Sequence, residues 1–182
     1  YKREKKLISD GMVRLAKYTI DFCRENKKKF IFLPKSKTKG KKRDIELKNY
    51  KENLNLKDYL YLVKGIRKKY RNRHNQYLAM FRSKVTIGTT STLLGENLSQ
   101  GNKILSCNFT KIKVFDFAID KICFIKNCSY MKFKKRLNFI LNLNEKKYFS
   151  LISKKDRNYM VYSEPKFSRV DLLREKLKKL AL

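Results

Sequence analysis

The sequence lacks tryptophan altogether and has few acidic residues, prolines and histidines. Its 182 residues include 16 Asp and Glu against 47 Lys and Arg, with two prolines and one histidine. Four cysteines occur, and none forms a CxxC pair: Cys23, Cys107, Cys123 and Cys128. A zinc site is therefore not expected, and reduced thiols in a cytoplasmic setting are the default. No apolar run is long enough to span a bilayer, and no signal peptide is visible.

The shortage of acids leaves a formal net charge of +31. Such a field attracts polyanions, which include nucleic acid, anionic lipid and phosphorylated substrates. A hydrophobic content of 42%, with 12 Phe and 11 Tyr, argues against a disordered chain. The length suits one domain covering residues 1–182. Because the chain begins at Tyr1 rather than at Met, we expect it to be a fragment of a longer protein.

The most informative stretch runs from Ser83 to Cys107. Its pattern predicts a strand, a cluster of hydroxyl side chains, a helix closed by a glycine, and a second strand. In order these are Lys84–Gly88, Thr89–Thr92, Leu93–Gln100 with Gly101, and Lys103–Cys107. A strand–turn–helix–strand unit is typical of a parallel α/β sheet.

The hydroxyl cluster has two interpretations. A hydroxyl at a helix N-terminus satisfies free backbone N–H groups, and those groups, with the helix dipole, also attract an anion. Glu96 lies about one turn into the helix, where a carboxylate could accept hydrogen bonds from a ribose diol. The plainer alternative is that Thr92 caps the helix and Glu96 is an exposed acid in its early part.

The stretch TIGTTSTLLGENLSQGNKIL resembles the nucleotide-sugar motif in the C-terminal domain of GT-B glycosyltransferases. The resemblance is to enzymes of bacterial surface-carbohydrate biosynthesis, including Kdo-transferase-like and polysialyltransferase-like ones. Their pattern is a strand, a Ser/Thr pair, a small residue, Glu, and a Gly before the next strand. Here these are Val85–Ile87, Ser91–Thr92, Gly95, Glu96 and Gly101. Leu93 departs from the pattern, where a small residue would be usual.

The resemblance implies roles for individual residues. Those that would bind the donor phosphate are Thr89, Thr90, Ser91, Thr92 and Lys35. Glu96 would bind the ribose, and Arg67 and Asn108 would contact phosphate or acceptor. No catalytic residue is assigned, and no metal or other cofactor is expected. The implied partners are a nucleotide-sugar donor, a glycan or lipid-linked acceptor, and an N-terminal acceptor domain that this chain lacks.

The remaining patterns predict an α/β fold with a Rossmann-like, mostly parallel sheet, helices on both faces and extra C-terminal helices. This is one half of a GT-B fold. Further strands are expected at Phe30–Leu33, Tyr59–Val63 and Ile122–Ile125. Further helices are expected at 4–26, 44–53, 75–82, 129–143 and 144–153, with a terminal amphipathic helix starting near Ser168.

Two alternatives without catalysis remain open. The stretch Arg67–Arg73 interleaves basic residues with Tyr70, which resembles a nucleic-acid patch. Against that interpretation, the lysines are dispersed along nearly every predicted helix and loop. The second alternative is a domain that binds anionic membrane, peripheral at the inner membrane face, where the terminal helix could lie on the bilayer.

Overall fold

The structure is a computed structural model that describes residues 2–34, 41–67, 73–89, 91–119 and 121–153. Helices precede, interrupt and follow three short strands. The elements in chain order are α1 Lys2–Glu25, α2 Lys41–Asn53, α3 Leu56–Lys64, α4 Arg73–Phe81, β1 Thr86–Gly88, α5 Thr92–Ser99, β2 Ile104–Asn108, β3 Phe124–Lys126, α6 Tyr130–Asn142 and α7 Glu145–Ser150. Short 3-10 turns at Lys113–Phe115 and Lys121–Cys123 lie between β2 and β3.

The three strands form one parallel sheet in the order β1–β2–β3. Ile87 pairs with Leu105, and Cys107 pairs with Ile125. All five residues of the central strand β2 are buried, so both faces of the sheet are covered, as parallel sheets require. The fold is therefore a mixed α/β architecture of the Rossmann-like kind, with a small sheet and many helices.

The main core forms where the helices meet the sheet. Buried side chains from α1, α5 and α6 pack with those of β2 and β3, among them Phe22, Leu94, Leu98, Phe133 and Leu137. A second cluster joins α1 to α2 and α3 through Ile20, Tyr50, Leu54 and Leu62. Thus α1, the longest described helix, belongs to both clusters and connects the sheet to the N-terminal helices.

Two buried polar side chains fix the start of β2. The hydroxyl of Tyr148 donates to the carbonyl of Ile104 at 2.7 Å and accepts from its N–H at 3.2 Å. The Nζ of Lys103 donates to the carbonyls of Ile140 and Leu143, which end α6. A cation at a helix C-terminus satisfies free carbonyls and complements the dipole, so these contacts lock α6 and α7 against the sheet.

Two of the expected strands are not strands. Tyr59–Val63 lies within α3, whose N-terminus is capped by the side chain of Asn55, which accepts from the N–H of Asp58. Phe30–Leu33 forms no strand, and among the described residues the N–H of Phe32 donates to the carbonyl of Gly65. This run is also not buried on both sides, because Ile31 is exposed.

The expected helices that fall within the described residues are present, with ends shifted by a few residues. The strands of the Ser83–Cys107 stretch are confirmed as β1 and β2, and the last strand is β3, which starts two residues later than expected. The predicted terminal helix lies outside the described residues. None of the helices in the described ranges is both long and apolar enough to cross a bilayer.

Candidate functional site

The candidate site lies at the carboxyl edge of the sheet, where β1 ends and α5 begins. Gly88 ends β1 and pairs with Ser106, so the turn after β1 and the loop after Asn108 leave the same edge. Thr89 is half-buried directly after β1, and Ser91 is exposed at the start of α5. Open parallel α/β sheets bind ligands at this edge. Thr89 and Ser91 therefore lie at the edge where ligands of this fold class bind.

Ser91, rather than Thr92, is the N-cap of α5. Its backbone is extended, with φ −152° and ψ 142°, and its Oγ accepts a hydrogen bond from the N–H of Leu93 at 3.2 Å. Thr92 is the first residue of the helix and is exposed. A serine hydroxyl that accepts one hydrogen bond still has a proton to donate. The start of α5 thus offers hydroxyl protons beside backbone N–H groups, a combination that suits an anion.

Glu96 is held in place by a residue of another helix. It is half-buried at the fifth position of α5, about 6 Å along the helix from its start. Its Oε2 accepts a hydrogen bond from the hydroxyl of Tyr77 on α4. This contact orients the carboxylate, and the second oxygen is the group that could accept from a diol. The sequence predicted the helix that carries Tyr77, but this role of its hydroxyl was missed.

The far end of α5 is held by a chain of amides and hydroxyls centred on the buried Asn97. Asn97 is fully buried, donates to the Oγ1 of Thr86 at 2.8 Å and accepts from Asn102 at 3.1 Å. The Thr86 hydroxyl lies 3.1 Å from that of Ser83. Thr86 starts β1, so this network lies at the edge opposite the candidate site. It sets the position of α5 relative to β1, and sequence analysis did not anticipate it.

Asn108 organises the loop that follows β2. Its amide group donates to the carbonyl of Ile112 at 2.9 Å and to Asp116 at 2.6 Å, and its oxygen accepts from the N–H of Thr110 at 3.0 Å. The hydrogen bond from Asn108 lowers the pKa of Asp116, and Lys126 at 3.1 Å lowers it further. With its side chain 2% exposed and engaged in the loop, Asn108 is a positioning residue. A direct ligand contact from Asn108 stays a prediction.

Three other predicted residues add nothing to this geometry. Lys35 and Thr90 lie outside the described residues. Arg67 is exposed just beyond the end of α3, and its contact with a phosphate stays a prediction. The described residues contain no group of three or more His, Cys, Asp and Glu side chains that could hold a metal ion.

A cavity of about 380 Å³ lies away from the sheet edge, between α1 and the turn that joins α2 to α3. Its walls include Lys17 and Asp58, whose charged atoms are 3.3 Å apart. Asp58 also pairs with Arg24 and accepts from Asn55 at 2.9 Å. Because residues of the protein itself pair with the Asp58 carboxylate, this carboxylate has a structural role. The sheet edge is therefore the better candidate for a functional site.

Comparisons with known proteins gave no match, whether with protein-family models, with curated proteins or with solved structures. The functional argument therefore depends on the residues and geometry of this chain.

Proposed function

We propose that this chain is the donor-binding domain of a GT-B-type glycosyltransferase that builds a bacterial surface polysaccharide or modifies a lipid-linked acceptor. The observation that carries the proposal is the β1–α5–β2 unit. It combines a parallel strand pair, a serine-capped helix N-terminus at the carboxyl edge, and Glu96 held one turn into that helix. The motif resemblance of the same residues supports the same interpretation.

In this proposal the donor phosphates lie at the start of α5. The hydroxyls of Thr89, Ser91 and Thr92 and the backbone N–H of Thr92 donate to the phosphate oxygens, with Thr90 as a further donor. Glu96 accepts hydrogen bonds from the ribose hydroxyls. Lys35 offsets phosphate charge, as the resemblance implies.

The reaction would be a displacement at the anomeric carbon of the sugar. A bond forms from that carbon to an acceptor hydroxyl oxygen, and the bond to the donor phosphate oxygen breaks. In the proposed two-domain enzyme, the acceptor proton passes to a base on the acceptor domain, and the nucleotide leaves as an anion. The helix dipole and N–H groups at the start of α5 stabilise that anion, so the proposal requires no divalent ion. Full-length enzyme whose activity vanished with chelator and returned with manganese would count against this part.

Binding of nucleotides to the isolated chain tests the donor site. CMP, UDP, GDP and dTDP are titrated calorimetrically at physiological salt into the wild type, Glu96→Gln and Glu145→Gln. Glu145 is the matched control, because it is an exposed acid in the first turn of α7 and the two variants have the same net charge. We expect one nucleotide to bind selectively. Glu96→Gln should weaken its binding by about tenfold or more, since hydrogen bonds to a charged group are worth about 1.5–3 kcal/mol.

The opposite result has a clear meaning. If all four nucleotides bind weakly and equally, if Glu96→Gln matches Glu145→Gln, and if salt abolishes binding, the attraction comes from net charge alone. The donor-site proposal would then be wrong. Steep, salt-dependent binding of DNA or RNA would in that case favour the nucleic-acid alternative.

A further inference from the structure

A second surface, on the opposite side of α3 from its core contacts, combines exposed leucines with lysines. Leu56 and Leu60 are 71% and 56% exposed, although α3 is anchored by the buried Asp58 and Leu62. Residues four apart lie on one side of a helix, so the two leucines form a continuous apolar strip. Lys57 and Lys64 are exposed beside that strip.

The chain that follows α1 extends this surface. Phe30 stacks on Tyr61 with ring centres 5.7 Å apart, and Phe32 donates to the carbonyl of Gly65 at 3.1 Å. These contacts hold the segment along α3 and leave Ile31 exposed between them. Directly before it come three exposed lysines, Lys27, Lys28 and Lys29. We call the set of Leu56, Leu60, Ile31 and the five lysines the α3 surface.

The α3 surface has a one-sided charge. Within 27–31 and 55–64 the acidic residue is Asp58, which is 1% exposed and paired with Arg24 and Lys17. Five exposed lysines and three exposed aliphatic side chains thus belong to α3 and the segment held along it, and within 27–31 and 55–64 no acidic side chain is exposed. A binding partner that matches this surface must carry negative charge on its outside for the lysines and an apolar layer below that charge for the aliphatic side chains.

We propose that the α3 surface docks on an anionic lipid bilayer. The lysines would contact the lipid phosphates, and the apolar side chains would enter the boundary between headgroups and acyl chains. A second copy of the chain fits poorly, because a two-fold contact would bring ten lysines together. Nucleic acid would satisfy the lysines but would desolvate the leucines without burying them in apolar material. This surface is separate from the donor site and does not depend on it.

Vesicle co-sedimentation with paired variants tests the proposal. The full chain is mixed with vesicles of phosphatidylcholine alone or of phosphatidylcholine with phosphatidylglycerol, and Leu56→Ser/Leu60→Ser is compared with Met131→Ser/Phe139→Ser. The control residues lie on α6 and are 68% and 50% exposed, so the two pairs remove similar apolar surface. We expect wild type to bind the anionic vesicles selectively. The leucine pair should weaken partitioning by about tenfold or more, because two aliphatic side chains that enter the bilayer boundary are lost. The control pair should change it little.

Two further comparisons are made. One distinguishes the effect of the lysines on the α3 surface from that of the net charge, and the other reports whether α3 inserts into the bilayer. Lys57→Gln/Lys64→Gln should weaken vesicle binding more than Lys135→Gln/Lys146→Gln, which removes the same charge from α6 and α7. Because the sequence has no tryptophan, Leu60→Trp supplies a single indole, with Phe139→Trp as its control. The fluorescence of the Leu60→Trp variant should shift to the blue with anionic vesicles, and that of the control should not.

Three outcomes would overturn the proposal. The first is equal binding to neutral and anionic vesicles. The second is equal loss of binding in the α3 and control variants, which would assign the attraction to net charge. The third is a leucine variant whose vesicle binding is unchanged, combined with oligonucleotide binding that is weaker in the lysine variant than in the wild type. That result would assign the surface to nucleic acid. Nucleotide binding at the donor site is measured separately, so failure of either proposal leaves the other intact.

Discussion

At the residue scale, the strongest local electrostatic arrangement is the buried carboxylate of Asp58. Burial opposes its ionisation, but hydrogen bonds from Arg24 and Lys17 outweigh that effect and lower its pKa. A carboxyl whose pKa is lower in the folded state stabilises the fold above its unfolded pKa of about 3.9, and that contribution disappears as the pH falls through the folded pKa. Asp58 should therefore contribute to acid lability.

The variant Asp58→Asn tests this contribution. We expect a loss of about 1–3 kcal/mol in the free energy of unfolding at pH 7, because two partly exposed cations lose their partner. The difference between variant and wild type should shrink as the pH falls from about 4 through the lowered folded-state pKa, because the wild-type carboxyl is protonated first in the unfolded and then in the folded state. Urea unfolding across a pH series measures both effects.

The control for this experiment is Glu52→Gln. Glu52 forms an exposed pair with Lys48 at 3.7 Å, and such pairs contribute about 0.5 kcal/mol or less. A difference between Asp58→Asn and wild type that stayed constant from pH 7 to acid would contradict the electrostatic explanation. It would leave packing as the reason for any loss.

The candidate site was partly predictable at this scale. Local spacing alone predicted a hydroxyl at a helix start and an acid, Glu96, one turn later, but it indicated Thr92 as the cap where the structure has Ser91. The role of Tyr77 could not be predicted, because its contact with Glu96 joins residues 19 apart in sequence through the packing of α4 against α5. Asn108 was predicted to contact a ligand, which stays a prediction, while its bonds with Thr110 and Asp116 depend on how the loop folds back and could not be predicted.

At the scale of elements, the order β1–α5–β2 was predictable and α3 was not. The Ser83–Cys107 stretch contains β-branched residues, a hydroxyl cap and a closing Gly101, whose φ of 83° suits glycine. In contrast, Tyr59–Val63 is a short apolar run, for which periodicity cannot distinguish a strand from a helix. The signal that was missed is local: Asn55 caps the N–H of Asp58 three residues later.

The prediction of a strand at Phe30–Leu33 was wrong for a different reason. Its alternation is that of an extended segment, with Phe30 and Phe32 packed on Tyr61 and Tyr50 and Ile31 outside. What distinguishes it from a strand is the absence of a sheet partner within the described residues. Whether a segment has a neighbouring strand depends on the tertiary structure, so the composition of the segment alone cannot predict it.

The close approach of α1 to the loop after β2 gives a prediction for one glycine. A Cβ at Gly11 would lie 2.8 Å from the backbone nitrogen of Thr110 and 2.9 Å from the carbonyl carbon of Phe109. Glycine to alanine in a helix normally stabilises it by about 1 kcal/mol. Here we expect Gly11→Ala to destabilise the protein by about 1–3 kcal/mol, because the methyl group overpacks a backbone contact.

Urea unfolding of Gly11→Ala measures this effect, with Lys6→Ala as a control at an exposed position of the same helix. The Thr110 nitrogen is the donor to Asn108, so the variant should also disturb the loop beside the donor site. An increase in stability equal to the normal helix-propensity gain would show that α1 can move away from the loop at no cost.

At the scale of the whole molecule, the net charge of +31 sets how the protein responds to salt. Like charges repel more strongly in the compact fold than in the expanded unfolded chain. The Debye length falls from about 30 Å at 0.01 M to about 8 Å at 0.15 M ionic strength, so added salt should relieve this repulsion. The same salt weakens ion pairs, but exposed pairs are worth little, and repulsion among 47 cations should dominate.

We therefore expect the melting temperature to rise by roughly 2–8 °C from low to physiological sodium chloride, corresponding to about 1–2 kcal/mol. Calorimetric scans in sodium chloride measure it, and neutral sucrose at the same osmolality controls for general solute effects. A melting temperature that fell with salt would mean that attractive ion pairs, such as those of Asp58, outweigh the global repulsion. Since salt at these concentrations also suppresses nonspecific attraction, nucleotide binding that survives it must come from a built site such as the start of α5.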